Sequence, residues 1–314
     1  HMRIVFMGTP LFAATFLEHL AQTEHKIVGV VTKPDQGMGR GRKIKASPVK
    51  ETALELSLPV LQPESLKDSE FLSSLKALEA DVFVVVAFSL LPKVVLECAR
   101  QGAINVHGSM LPKYRGAAPV QWAIADGLTK TGVSVFLLDE KMDTGPLLVQ
   151  KTVPIGANHT TVDVLNAMIP IGCAALDEAL EKLNSGFEAL PQNHDLATSA
   201  RKLSREDAII DWSLSAVEIY NRQRAFYPWP GSYSYLDAKK VVFHQFALVN
   251  NGKNLAPGQA EVDEAGRLLV GTGQGLLEVL NLQLAGRKAL PAADFVLGLQ
   301  GQRSLEFNSQ LSHG

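Results

Sequence analysis

The sequence predicts an α/β protein in two parts: a doubly wound, mostly parallel, Rossmann-like sheet followed by a small antiparallel, OB-like β-barrel. Three observations carry this expectation. The first half alternates apolar runs with helical stretches, and residues 81–87 (DVFVVVA) are continuously apolar, as a strand covered on both faces must be. The second half holds short β-like runs separated by glycine- and asparagine-rich turns. A chain of 314 residues, 46% of them hydrophobic, can bury about two cores at roughly 150 residues each.

Each element follows from local pattern. Residues 3–7 (RIVFM) form an apolar run ended by Gly8, and 11–22 then reads as a helix. Residues 27–32, 103–106 and 132–138 are further strand-like runs, with helices expected near 48–56, 68–78, 92–99 and 117–126. A long helix spans 161–184. The first domain is expected over residues 2–188, a polar linker over 189–206, and the barrel domain over 207–314. Within the latter, a helix at 213–225 precedes β runs at 232–236, 240–249, 259–263, 267–271 and 276–284. No repeat or low-complexity segment interrupts them.

Composition narrows the function classes. No apolar stretch approaches the roughly 18 residues needed to span a bilayer, so no membrane association and a cytoplasmic protein are expected. His1 precedes Met2 and is read as foreign to the protein, and no signal peptide is expected after it. The two cysteines, Cys98 and Cys173, fall in expected helices at no ligand spacing and read as buried small hydrophobes, so no metal is expected. A net charge of -2 does not mark a nucleic-acid binder as a whole, although a local patch can hide in that average.

The chemistry concentrates in one segment. Asn105 and His107 are two apart on an expected strand and therefore share a face, and Gly108 lets the chain turn away behind them. Asp143 opens a second loop, Asp143-Thr144-Gly145-Pro146, after the strand at 132–138; an adjacent parallel strand would bring it toward His107. Acyl transfer to an amine needs a donor for an oxyanion, which a primary amide supplies. It also needs a proton-handling group near neutral pH, which suits imidazole, with a carboxylate to orient it. On the residues alone, Asn105 and His107 fit local hydrogen bonding equally well, and Asp-Thr-Gly fits a plain turn.

The motifs themselves are recognisable. Asn105-Val106-His107-Gly108-Ser109-Met110-Leu111-Pro112, then Tyr114-Arg115-Gly116-Ala117-Ala118-Pro119, together with Asp143-Thr144-Gly145, resembles the folate-dependent formyltransferases. Phe6-Met7-Gly8-Thr9-Pro10 and Arg224-Ala225-Phe226-Tyr227-Pro228-Trp229-Pro230-Gly231 extend the resemblance to essentially the whole chain. The resemblance implies a catalytic trio of Asn105, His107 and Asp143. It also implies a folate-binding Ser109, Met110, Leu111 and Pro112, in which Met replaces the family's Leu at little change of volume. The implied donor is a reduced folate, 10-formyltetrahydrofolate. The implied acceptor is the α-amine of methionine on initiator Met-tRNA, and the implied state is a monomer.

The same core serves relatives that formylate a sugar amine or a nucleotide precursor, so the trio alone leaves the acceptor open. Residues 33–50 favour tRNA: Lys33, Arg40, Arg42, Lys43, Lys45 and Lys50 face only Asp35, a net +5, and Gly37, Gly39 and Gly41 predict a mobile basic loop able to meet phosphates. Arg42 is the expected key contact, helped by Arg40 and Lys43; a solvated charged loop is the plain alternative. Residues 201–314 carry 12 Lys/Arg and 11 Asp/Glu, so Arg222, Arg224, Lys239 and Lys240 read as ordinary surface charge. Phe226–Pro230 reads as a packed corner rather than a base-stacking platform. A dinucleotide-dependent dehydrogenase is disfavoured because the first turn, Gly8-Thr9-Pro10-Leu11-Phe12-Ala13, lacks the Gly-x-Gly-x-x-Gly that lets a backbone approach a pyrophosphate. A non-catalytic RNA-binding protein would need a broader basic face.

Overall fold

A computed structural model describes residues 1–38, 41, 43–250 and 252–311. The chain forms two compact units. The first comprises His1–Gly116, Lys130–Pro154 and Leu165–Ala200; the second comprises Ala117–Thr129, Ile155–Val164 and Arg201–Gly314. Two internal segments thus group with the C-terminal residues, and the segment expected as a linker contributes to the first unit as far as Ala200.

In the first unit the strands are β1 (Arg3–Gly8), β2 (Lys26–Val31), β3 (Gln36–Met38), β4 (Lys43–Lys45), β5 (Val60–Leu61), β6 (Val82–Val86), β7 (Ala103–His107), β8 (Lys130–Leu137) and β9 (Leu147–Pro154). Seven of them make one sheet in the order β5-β2-β1-β6-β7-β8-β9. Strands β5 to β7 are parallel, with Ile4 opposite both Ile27 and Val82. The expectation that the run at 132–138 lies parallel to its neighbour is corrected: β8 is antiparallel to β7, with Ile104 opposite Leu137 and His107 opposite Ser134, and β9 returns antiparallel beside it. Composition hides this because β8 is buried along most of its length, so its apolar run looks like that of a doubly covered parallel strand.

The sheet is covered on both faces. Helix α1 (Leu11–Ala21) buries Ala13, Phe16, Leu17 and Leu20. Helix α2 (Pro48–Glu55) starts with proline and is capped by Ser47, whose Oγ accepts the Lys50 N–H at 3.0 Å. Phe71 and Leu75 of α3 (Ser69–Ala77) pack with Val5, Met7, Phe83 and Val85. Each such side chain stabilises the fold by about 1.5–3 kcal/mol on burial. Helix α4 is shorter than expected, Lys93–Leu96, so Cys98 lies in the turn beyond it and is buried. Within the basic stretch, β3 and β4 form a three-rung antiparallel ladder, Gln36 opposite Lys45 and Met38 opposite Lys43, and the expected mobile loop at residues 39, 40 and 42 lies outside the described residues.

The second unit holds helix α5 (Pro119–Ala125), the first residues of α6 (Thr161–Asn184), α7 (Ala216–Ala225) and α8 (Ala292–Leu297). Its strands are β10 (Tyr233–Leu236), β11 (Lys239–Val249), β12 (Gln259–Val262), β13 (Leu268–Gly271), β14 (Leu276–Leu284), β15 (Leu290–Pro291) and β16 (Ser304–Asn308). The order β10-β16-β12-β13-β14-β11 closes because β11 also pairs with β10, giving a six-stranded antiparallel barrel. Trp212 fills it against Phe243, Phe246 and Phe307, with its indole N–H donating to Ser234 Oγ at 3.0 Å. Ser215 and Glu218 form a reciprocal capping box that starts α7. Two readings change here. Arg224 is not a surface charge but is 5% exposed. Of the aromatic stretch after it, only Phe226 is packed, edge-on to Trp122 at 5.7 Å, whereas Tyr227 and Trp229 are exposed. Among the described residues, no helix is long and apolar enough to cross a membrane.

Candidate active site

The site lies at the end of β7 in the first unit. Asn105 stands opposite Phe136 and His107 opposite Ser134, so strand alternation puts both side chains on one face. Asn105 is half-buried, and its side chain has no hydrogen-bond partner among the described residues. His107 and Asp143 are 8% and 6% exposed. His107 Nε2 lies 2.9 Å from the Tyr114 carbonyl oxygen. A carbonyl only accepts, so Nε2 carries a proton and Nδ1 is left facing Asp143 Oδ2 at 3.7 Å.

Asp143 reaches this place from the connection between the antiparallel strands β8 and β9, with a left-handed φ of +59°. Three features fix it. Its Oδ2 accepts the Gly116 N–H at 2.7 Å. The buried amide of Gln192 donates to the carbonyls of Asp143 and Gly145, at 2.9 and 2.7 Å. Gly145 passes so close to the Leu137 carbonyl that no Cβ fits between them. The supporting His107–Tyr114 contact depends on Tyr114 at φ +57°, whose N–H donates to Thr198 Oγ1 at 2.8 Å. A buried carboxylate and imidazole held this closely by groups distant in sequence are preorganised rather than adaptable.

The four expected folate-binding residues form one tightly bonded loop. The Ser109 carbonyl accepts from Ser134 Oγ at 2.7 Å, and the Leu111 N–H donates back to the same oxygen at 3.1 Å. Gln150 donates to both Ser134 Oγ and the Leu111 carbonyl at 2.9 Å. Ser109 is fully buried, its hydroxyl donating to the Lys113 carbonyl at 2.6 Å, and Leu111 is buried too. Met110 and Pro112 keep partial exposure. The loop therefore offers shape to a ligand, while most of its polar groups are spent on the protein.

A cavity of about 850 Å³ is lined by residues that include Arg115, Asp139, Lys141, Thr144, the neighbour of Asp143, and His194; none of Ser109–Pro112 is among its described lining residues. It is the size that drug-sized ligands occupy. The Arg115 guanidinium is held by Gln192 Oε1 and His194 Nδ1, both at 2.8 Å, yet its Nε is buried without a partner. Sequence reasoning misses Gln192, Gln150 and Ser134. They are uncharged residues in unremarkable contexts, and nothing local distinguishes a glutamine that will hold a loop from one that will face water. Among the expected tRNA contacts, Lys43 is exposed on β4 beside exposed Lys45, while Lys50 is paired with Asp35 at 2.8 Å. Arg40 and Arg42 lie outside the described residues.

Comparison with known proteins gives a consistent result. Residues 2–180 match the family described as formyl transferase, and residues 202–300 match the formyl transferase C-terminal domain. The methionyl-tRNA formyltransferase of Acidobacterium capsulatum is 43% identical over 302 residues, covering 95% of this chain and 96% of that protein. That of Pseudoalteromonas translucida is 42% identical, covering 95% and 94%. Among solved structures, the sugar 3N-formyltransferase WlaRD aligns with a TM-score of 0.66 at 19% identity, covering 91% of this chain and 99% of its own. HypX from Aquifex aeolicus in complex with tetrahydrofolic acid aligns at 0.64 and 18%, covering 94% of this chain and 47% of its own. At those identities the two structures speak for the fold. The sequence matches speak for more, and by them the chain belongs to the formyl transferase family.

Proposed function

We propose that the chain transfers the formyl group of 10-formyltetrahydrofolate to the α-amine of methionine carried on initiator tRNA. The observation that carries the reading is the end of β7, where a buried His107–Asp143 pair shares a site with the half-buried Asn105. Full-length likeness to methionyl-tRNA formyltransferases supports the choice of acceptor.

The cavity of about 850 Å³ beside Thr144 and Arg115 has room for a reduced folate. The folate supplies the formyl carbon. As the amine attacks that carbon, Asn105 donates its amide N–H to the oxygen that becomes negative, and His107 becomes a second donor when its Nε2 N–H swings from the Tyr114 carbonyl to that oxygen. Asp143 fixes the imidazole and takes up the proton the amine loses, directly or through a water; the departing folate nitrogen receives one proton in return. No covalent enzyme intermediate is needed. Met110 and Pro112, the partly exposed members of the 109–112 loop, are the ones left to touch the donor, and the buried Ser109 and Leu111 hold that loop in place. Lys43, with Arg40 and Arg42 of the same stretch, meets tRNA phosphates.

The test is transfer from 10-formyltetrahydrofolate to initiator tRNA, charged with methionine or left uncharged. Formylation of the charged tRNA alone is expected. Transfer to a sugar amine or nucleotide precursor instead would overturn the acceptor while keeping the formyltransferase core.

A further inference from the structure

The cavity of about 850 Å³ beside Thr144 has a neighbour in the first unit, a second cavity of about 600 Å³ with which it shares Lys93 and Glu140 as lining residues. The proposed reaction uses only the first. The second has an apolar side, in which Leu90, Pro92 and Val94 take part, and it also carries Lys67. The charge on these walls is one-sided. Lys67 stands just before Asp68, the cap of α3; Lys93 opens α4; Lys141 lies in the connection between β8 and β9. Three segments remote in sequence thus each deliver a lysine to the same pair of cavities. All three lysines are exposed, and among the described residues none of them makes an ion pair. The opposing carboxylates are fewer. Asp139 turns Oδ1 back to its own loop, accepting from the Lys141 N–H at 3.0 Å and the Thr144 hydroxyl at 2.7 Å, which leaves Glu140 before three ammonium groups. Arg115 adds nothing to this count, because its guanidinium is already held by Gln192 and His194. Like charges gathered on concave walls repel one another, and they focus a positive field that draws an anion in.

A reduced folate is such an anion at the end away from its pterin. It terminates in a glutamate with two carboxylates, and further glutamyl residues can be joined through the γ-carboxyl. Each one adds a net negative charge and a short run of methylene carbons. We propose that the donor is bound as a polyglutamate: Lys93 and Lys141 take the carboxylates of the first glutamate, and the added residues run through the second cavity, over Leu90 and Pro92, to Lys67. The proposal rests on the folate-donor reading above and deepens it, since it assigns the form of the donor that the chain selects. Phosphates of the tRNA are the other source of negative charge for these lysines, and the experiment separates the two.

The experiment is calorimetric titration of the full chain with tetrahydrofolate in its monoglutamate and triglutamate forms, repeated on Lys67→Ala, Lys67→Arg and Lys93→Ala, with thermal unfolding as the check of fold. The triglutamate is expected to bind about fivefold more tightly at low salt, the scale of exposed ion pairs, and the advantage should shrink as salt is raised. Lys67→Ala should remove most of that advantage and Lys67→Arg should keep it. Lys93→Ala should weaken both forms by a few-fold. Equal affinity for the two forms, or an advantage indifferent to Lys67→Ala, would overturn the proposal. So would a Lys67→Ala variant that keeps the advantage and instead loses affinity for Met-tRNA, since the lysine would then serve a phosphate. The formyl-transfer reading fails separately: the monoglutamate donor would give no formylated Met-tRNA, whereas a failure of the present proposal leaves that transfer in place.

Discussion

The segment from Asn105 to Gly116 and the basic hairpin β3–β4 stand at opposite ends of a scale of constraint. The first is tied down by Ser134, Gln150, Asp143 and Thr198, all remote in sequence, of which Ser134 and Asp143 are buried. The second is held by its own three-rung ladder, and both strands carry side chains that face solvent. The difference follows from the two tasks. Stabilising a developing oxyanion requires donors fixed to within a fraction of an ångström before the reaction begins. Meeting a phosphate backbone requires charge within reach, and loses little if each contact is loosely placed.

Substitutions in the two segments should separate these tasks. The largest effect should come from Asn105→Ala, which removes an oxyanion donor and leaves the surrounding ladder intact. A loss on the order of 100- to 1,000-fold in kcat is expected, with tRNA binding unchanged. Near-normal turnover would remove Asn105 from the chemistry. Gln192→Leu should come next, because it takes two buried hydrogen bonds from the carbonyls flanking Asp143. It should lower stability by about 1–3 kcal/mol in denaturant unfolding and lower kcat more than it raises either KM. A purely structural role would move stability alone. Lys43→Ala should be smallest, raising KM for tRNA a few-fold and flattening its dependence on log salt by about one unit, with folate KM unchanged. Equal effects on both substrates would refute the division of labour.

Much of the architecture is legible in the sequence because burial leaves a pattern. The runs RIVFM and VFVVV read as covered strands, and the two-residue spacing of Asn105 and His107 puts them on one face of any strand they share. Strand direction is not legible. β8 is buried along most of its length like its parallel neighbours, and β9 (LLVQKTVP) mixes apolar and polar residues in a way that hides its pairing. The barrel's last strand, β16, escapes for a different reason: SLEFN offers only Leu305 and Phe307 as buried residues, too few for periodicity to register. The site shows the same division. Its reacting groups carry distinctive chemistry and are visible, whereas Gln192 and Ser134 act purely through where the fold delivers them. Arg224 reads wrongly from sequence because a cationic side chain at a helix end is usually solvated, and nothing nearby in the chain announces its burial.

The interleaving of the two units has a consequence for how such a chain can be inherited or rebuilt. The backbone passes between them at residues 116/117, 129/130, 154/155, 164/165 and 200/201, so no single cut separates them. A fragment beginning at Arg201 would leave behind Trp122, which packs on Phe226, and Thr161, whose hydroxyl donates to the Ala225 carbonyl at 2.6 Å. Grafting the C-terminal half onto another catalytic core would therefore succeed only if two internal stretches, 117–129 and 155–164, travelled with it. A recombination event that cut such a gene once would split one unit or the other, so what is inherited whole is the chain rather than either half.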